Sequence, residues 1–340
     1  MQKGKSSLRM PAEWEPHEAT WITWPKNTET FGEMLPRVQN AFILMISTLA
    51  QNEKVRLVVG DDADEAKVRK MLDKIGASKN VFFFQAKACD VWIRDYGPIF
   101  VKDRNEVIAT KWIYNAYGNK YSDLAEDTHV FDNIIPGLGL KTLYPEIVLE
   151  GGSIEVNGKG SLLTTEQCLL AKSRNPKLTK EQIEGSLGEY LGARNVIWLK
   201  EGVVGDDTDG HIDDIARFVD ERTILCAYED DKSDANYHAL KKNFEALGRA
   251  VDQDGEKFEV EKLPMPRPVI SLTGRLPASY ANFYIANKSV FLPVFGDKND
   301  KRAISVLETH FPDRAVIPID CIAWVHGLGS IHCSTQQQPR

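Results

Sequence analysis

A strand, polar turn, strand pattern recurs along this chain and limits the folds open to it. GPIFVKDRNEVIATKW (97–112) reads as a hairpin, and so does GSIEVNGKGSLLTTEQ (152–167), where NGKG is a strong tight-turn signal. IARFVDERTILCAYED (215–230) and NFYIANKSVFLPVFGD (282–297) repeat the plan with DER and NK at their tips. GSIHCSTQQQ (329–338) reads as a first strand without a partner. ATWITWP near the N-terminus, an apolar alternation through Trp21 and Trp24, offers itself as that partner and would close a ring. The units start 47 to 67 residues apart. Helix-then-strand segments lie between them: TKEQIEGSLGEYLG before VIWLKE, ANYHALKKNFEALGRA before VEKLPMP, and KRAISVLETHFP before AVIPID. Thr179 and Gln182 have capping-box spacing, and Gly192 suits a C-terminal stop. Nearer the N-terminus, 35–51 has helical spacing, 55–60 and 81–86 read as strands, and 63–76 as a charged amphipathic helix. Five ββαβ-like units of roughly 65 residues fill the 340 positions, with no linker or low-complexity tract. The reading is one α/β domain, 1–340, built by repetition around an axis.

Polar residues gather where each hairpin begins. Asp95 precedes the first, Glu150 the second, His211 and Asp213 the third; Asn282 opens the fourth, and Cys333 lies in the fifth. In a ring of units equivalent strand ends converge, so this shared phase would bring the groups to one central pocket. Each also has a plainer reading. Asp95-Tyr96-Gly97-Pro98 is a good turn, in which an Asp often bonds its own backbone. Glu150 stands before Gly151-Gly152, a pair that brings backbone close to something. His211 and Asp213, two apart, share a face on extended chain, where the carboxylate can orient the ring. In the last stretch, Gly327 and Gly329 let the backbone turn sharply and approach a ligand, and an extended segment, Ile331 to Thr335, carries Cys333. A free cysteine there is either a small buried hydrophobe or a nucleophile. His332 cannot serve it, because adjacent side chains on a strand point to opposite faces. His211 is then the proton partner for Cys333.

Charge and composition exclude several classes. A net charge of −7 argues against nucleic acid and suits a small cationic substrate. The start MQKGKSSLRMPAEWEP has no apolar run, and no stretch approaches the ~20 apolar residues of a membrane span, so neither export nor a membrane is expected. Five scattered cysteines, never in CxxC, suit the reducing cytoplasm and oppose a disulfide framework or zinc ribbon. DDTDGHIDD fails as an EF-hand loop, since Gly205 and Ala216 would occupy its first and last ligand positions. GLGS lacks the lysine and the following helix of a phosphate loop. No metal and no cofactor are expected. A homodimer is compatible with the sequence and not demanded by it.

PAEWEPHEATWITWP, VWIRDYGP, LEGGS, TDGHIDDIARF, SYANFY and the terminal GSIHCSTQQQP together resemble the agmatine deiminases and related bacterial peptidylarginine deiminases. The resemblance spans nearly the whole chain. It implies a five-bladed α/β-propeller, the pentein fold of guanidine-modifying enzymes. It also implies hydrolysis of agmatine to N-carbamoylputrescine and ammonia through a covalent amidino-cysteine intermediate. Cys333 would be the nucleophile and His211 the acid/base, with Asp95, Glu150 and Asp213 around the guanidinium. Trp92 would flank the substrate and Asp207 would meet its distal amine, with Asn282 and Tyr117 completing the substrate contacts. Three positions depart from the pattern: Asp207 stands where a Glu is expected, Tyr117 where a Trp is usual, and GLGS replaces a more glycine-rich bend. Arginine or peptidyl-arginine is the alternative substrate on the same fold, and free arginine would need a cationic partner for its carboxylate, such as Arg94 or Arg217. A catalytically silent scaffold and a metal-dependent ureohydrolase are the readings from other classes.

Overall fold

The computed structural model describes residues 7–340, and in it all four complete hairpins form. Ile99–Asp103 runs antiparallel to Glu106–Thr110, Glu155–Val156 to Ser161–Thr165, Ala216–Phe218 to Thr223–Tyr228, and Tyr284–Ile285 to Ser289–Val294. The second strand of each hairpin then pairs in parallel with a later strand: Lys141–Leu143, Asn195–Leu199, Glu259–Pro264 and Ala315–Asp320 respectively. Parallel neighbours need a long crossover. Helices Lys180–Leu191, Tyr237–Leu247 and Asp300–His310 supply it in the last three. The first crossover is instead a chain of short turns, and it matches the stretch of sequence that has neither a helical nor a strand period.

The two ends of the chain meet in one sheet. Gln336–Pro339 runs antiparallel to His17–Thr23, which is followed in parallel by Lys54–Val59 and Val81–Gln85. ATWITWP is therefore the partner of the last strand, and Trp21 Nε1 donates to Gln338 Oε1 across the pair at 3.0 Å. The described residues form a mixed α/β structure with two four-stranded sheets, three three-stranded sheets and a two-stranded ribbon. The ribbon, Ile270–Ser271 with Gly274–Arg275, is too short to leave a period in the sequence. No helix among them is long and apolar enough to cross a membrane.

Local signals act as expected in the helix Lys180–Leu191. Thr179 and Gln182 exchange both bonds of a capping box, and Gly192 closes the helix at φ 74°. A Cβ there would also lie 2.0 Å from the Leu8 carbonyl oxygen, so two constraints demand glycine. The buried face, Ile183, Leu187 and Leu191, has helical spacing and joins Met10, Ile99, Val101 and Leu162 in a smaller apolar cluster. The larger cluster includes Trp21, Trp24, Phe42 and Trp324, with the Phe42 and Trp324 rings 4.2 Å apart. Full burial of a side chain the size of leucine contributes roughly 1.5–3 kcal/mol.

Two expectations of extended chain are corrected. His332–Ser334 is one 3-10 turn, and the strand starts only at Gln336. The Asn282 side chain takes the backbone N–H groups of His332 and Cys333 (2.9 and 3.4 Å), and the His332 N–H also reaches the Asn282 carbonyl at 3.2 Å, so those donors serve Asn282 instead of a strand ladder. Ile212–Asp214 is likewise a 3-10 turn, so His211 and Asp213 do not share a strand face.

Candidate active site

Cys333 is held by a loop tied to one amide. Asn282 Oδ1 accepts from Ser330 Oγ at 2.8 Å as well as from the two backbone donors, and Asn282 Nδ2 donates to Cys333 Sγ at 3.1 Å and to Asp214 Oδ1 at 3.1 Å. Asn282 thus fixes the loop and one side of the sulfur. The bend before it is corrected in detail. Leu328, at φ 69°, takes the left-handed position, while Gly327 and Gly329 make room for a side chain. A Cβ on Gly329 would lie 2.6 Å from the Trp92 ring, and one on Gly327 would lie 2.9 Å from it. These glycines admit the indole of Trp92, which forms a wall of the pocket.

Carboxylates from separate units surround the sulfur. The Cys333 thiol faces Asp213 Oδ2 at 3.6 Å, and the same oxygen lies 2.8 Å from His332 Nδ1. His332 Nε2 lies 2.8 Å from Glu13 Oε2, so His332 stands behind the site and braces Asp213. Asp95, on the one-turn helix Ile93–Tyr96, accepts from Gly152 N (2.8 Å) and Tyr117 O–H (3.0 Å). It bonds across units rather than to its own turn. Its Oδ1 lies 3.8 Å from His211 Nδ1. Gly152 is the close approach that Gly151-Gly152 foretold: a Cβ there would sit 2.6 Å from His211 Nδ1 and 2.9 Å from Asp95 Oδ1. Glu150 Oε1 accepts from Arg174 Nε at 2.9 Å, with both side chains buried. Glu150 Oε2, Asp213 Oδ1 and both ring nitrogens of His211 are buried without a hydrogen-bond partner among the described residues. Such atoms are uncommon in folded proteins, and a ligand rich in N–H donors satisfies them.

The electrostatics follow from burial and neighbours. Burial, then Asp213, Asp214 and Asp95, push the Cys333 thiol well above its ordinary range. Burial opposes the charge on His211, but Asp95 first, then Cys168 and Asp213, outweigh it and hold the imidazole well above its usual value. Asp95 is pushed up to about 6 by burial, against the pull of His211. Burial also opposes ionisation of Asp213, yet its hydrogen bond to His332 and that ring's charge keep it below the usual range. These shifts favour the neutral thiol of Cys333 and the protonated imidazole of His211.

Above this floor opens a cavity of about 290 Å³, reaching down to Cys333 and Asp95 and walled by Trp92 and Tyr117. Glu150, His211, Asp213 and Asn282 do not line it. Four carboxylates line the upper part, Asp207, Asp90, Asp123 and Glu29, and no Lys or Arg does among the described residues. Asp207 accepts a hydrogen bond from Tyr121 O–H. Arg94 and Arg217 are both committed elsewhere. Arg94 bonds the His332 carbonyl, Gln336, Gln337 and Glu13; Arg217 bonds Glu155, Glu13 and two backbone carbonyls. Sequence reasoning missed Glu13, Arg174 and Tyr121 and set His332 aside. Glu13 lay inside a quoted motif without a role, and the others carry no spacing signal because their partners are remote in sequence. The fold also brings donor atoms of Glu150, Cys168 and His211 within 4.8 Å of one another.

Comparison with known proteins places the chain in a family. Residues 9–339 match the Porphyromonas-type peptidyl-arginine deiminase family. A protein of Legionella pneumophila, provisionally named an agmatine deiminase, is 38% identical over 336 residues, covering 97% of this chain and 94% of its own. The solved agmatine deiminase of Enterococcus faecalis superposes with a TM-score of 0.90 at 31% identity, covering 99% of this chain and 98% of that one. A cysteine-to-serine variant of the C. jejuni agmatine deiminase, solved with substrate bound, gives 0.86 at 31% identity, with 98% and 96% covered.

Proposed function

The chain belongs to the Porphyromonas-type peptidyl-arginine deiminase family, and on that premise we propose that it hydrolyses agmatine to N-carbamoylputrescine and ammonia through an amidino-cysteine intermediate. The observation that carries this is the position of Cys333 at the foot of an acid-lined cavity, against Asp213, with His211 beside Asp95 of the same cavity. The reading takes the whole chain as one domain, a five-bladed propeller of the pentein type. The five sheets of three or four strands and the pairing of the chain ends support it. Five unpaired thiols suit a reducing cytoplasm.

A guanidinium presents five N–H donors in a plane, which carboxylates match in pairs. The free oxygens of Asp213 and Glu150, with Asp95, would fix that plane face-on to the sulfur. The bound cation offsets the anionic surroundings of Cys333, so its proton passes to water, where the released ammonia takes it up as ammonium, and the thiolate adds to the central carbon. His211 gives its proton to one NH₂, which departs as ammonia and leaves an amidino-thioether. The neutral imidazole then takes a proton from water as the oxygen adds to the same carbon. Collapse breaks the C–S bond, returns the thiol, and releases the ureido product. No step needs an external oxidant or reductant.

The upper cavity favours agmatine over arginine. Its carboxylates attract a distal ammonium and repel an α-carboxylate, and neither Arg94 nor Arg217 is free to receive one. The test is to offer agmatine, arginine and an N-acylated arginine amide with chelator present, following ammonia and ureido product. Agmatine should give the highest kcat/KM, with equal amounts of the two products. Preference for either arginine substrate overturns the agmatine assignment. Failure to release ammonia from any guanidine overturns deimination, and a requirement for added metal would favour a ureohydrolase.

A further inference from the structure

One buried nucleophile next to the site has no part in the deimination chemistry. Cys168, on the short helix Glu166–Leu169, is fully buried, and a donor atom from each of Cys168, Glu150 and His211 lies within 4.8 Å of the other two. A second observation points to a ligand there: Glu150 Oε2 and both His211 nitrogens are buried and unpartnered among the described residues. Arg174 occupies only Oε1 of Glu150 and leaves the other oxygen available.

We infer that Glu150, Cys168 and His211 form an inhibitory site for a borderline-soft divalent cation, with Zn²⁺ as the fitting case. Thiolate, imidazole and carboxylate are the ligand types zinc selects over calcium or magnesium. With zinc–ligand bonds of about 2.0–2.3 Å, donors on one tetrahedral ion lie roughly 3.3–3.8 Å apart, so the three groups need to close by at most about 1.5 Å. Three protein ligands leave a fourth position for water. The ion displaces the thiol proton of Cys168 and one imidazolium proton of His211, both to water, and engages the freed thiolate, the imidazole nitrogen and the carboxylate that the deimination uses. Binding is independent of the proposed function; the inhibition rests on it.

Co²⁺ serves as the probe, because thiolate ligation gives a sulfur-to-metal charge-transfer absorption that oxygen and nitrogen ligands do not. Cys333→Ser protein titrated with Co²⁺ is expected to develop this absorption at one equivalent. Cys168→Ala and Cys168→Ser are expected to lose it while keeping the wild-type circular dichroism. Loss in Cys333→Ser with retention in the folded Cys168 variants would place the metal on the nucleophile and overturn the inference. Absence of the band in every folded protein would overturn it equally, and Cys333→Ser gives that answer even if the Cys168 variants fail to fold. With agmatine as substrate, Zn²⁺ should inhibit the wild type reversibly by chelator, and Cys168→Ala should raise the inhibitory concentration at least about tenfold. If wild type turns over no guanidine, the proposed function falls while the cobalt titration still decides the metal site.

Discussion

At the residue scale the thiol is the informative group. Burial and three nearby carboxylates push Cys333 up, so the empty site should hold little thiolate at neutral pH. Alkylation of Cys333 by iodoacetamide, followed by peptide mass mapping, should therefore be slow near pH 7 and accelerate only in alkali. A small guanidinium that fills the carboxylates without covering the sulfur should speed it at pH 7. Rapid labelling of the empty enzyme would mean a preformed thiolate–imidazolium pair and would refute substrate-assisted ionisation. Cys333→Ser should abolish turnover without unfolding. Asp207 invites a second residue-scale test, since it lines the upper cavity and is oriented by Tyr121. Asp207→Asn should raise KM for agmatine by the equivalent of about 1.5–3 kcal/mol, the range for a charge-assisted hydrogen bond, and leave kcat nearly unchanged. Turnover of a guanidine lacking the amine should barely respond. Equal losses on both would assign Asp207 to the scaffold.

At the scale of elements, the helix Lys180–Leu191 shows how local chemistry fixes a boundary. Thr179→Ala removes the cap to the Gln182 backbone and should lower unfolding free energy by about 1 kcal/mol in urea titrations. Gly192→Ala should be worse, because it adds a left-handed penalty to a clash with the Leu8 carbonyl. Equal stability of Gly192→Ala and wild type would show that this contact is not made in solution. The loop 328–335 behaves differently. Its geometry depends on Asn282, some fifty residues away, and on the indole of Trp92 filling the space two glycines leave.

For the whole molecule, the buried charges beneath the site tie distant segments together. Glu13 contacts Arg94, Arg217 and His332 and accepts the backbone N–H of Ile285. Burial works against its charge, but Arg217, His332 and Arg94 outweigh it and hold Glu13 well below the usual carboxylate range. A depressed carboxyl contributes stability that is full above its unfolded-state pKa and is lost as pH falls through the folded value. Wild type should therefore lose stability steadily below pH ~5, and Glu13→Gln should flatten that slope. At neutral pH Glu13→Gln should cost about 3–5 kcal/mol, as breaking a buried ionic network does. An unchanged acid slope in Glu13→Gln would assign the acid sensitivity to other carboxylates, among them Glu53, which is also held low.

Strand periods, turn residues and caps are properties of neighbouring residues, so the sequence by itself determined the hairpins, the three long crossover helices, the Gly192 stop and the partnership of the first and last strands. The phase of Asp95, Glu150, His211, Asp213, Asn282 and Cys333 within the repeat was legible for the same reason, and it marked where the site would be. Only the tertiary structure decided what each group contacts there. Asn282 turned the expected strand around Cys333 into a tight turn, because a side chain from another unit captured its backbone donors. His332, dismissed on strand geometry, became the brace of Asp213 once that turn formed. Arg94 and Arg217 were removed from the substrate question by carboxylates such as Glu13, far away in sequence. Short-range order is written in local patterns, whereas partners across units depend on how those units are brought face to face.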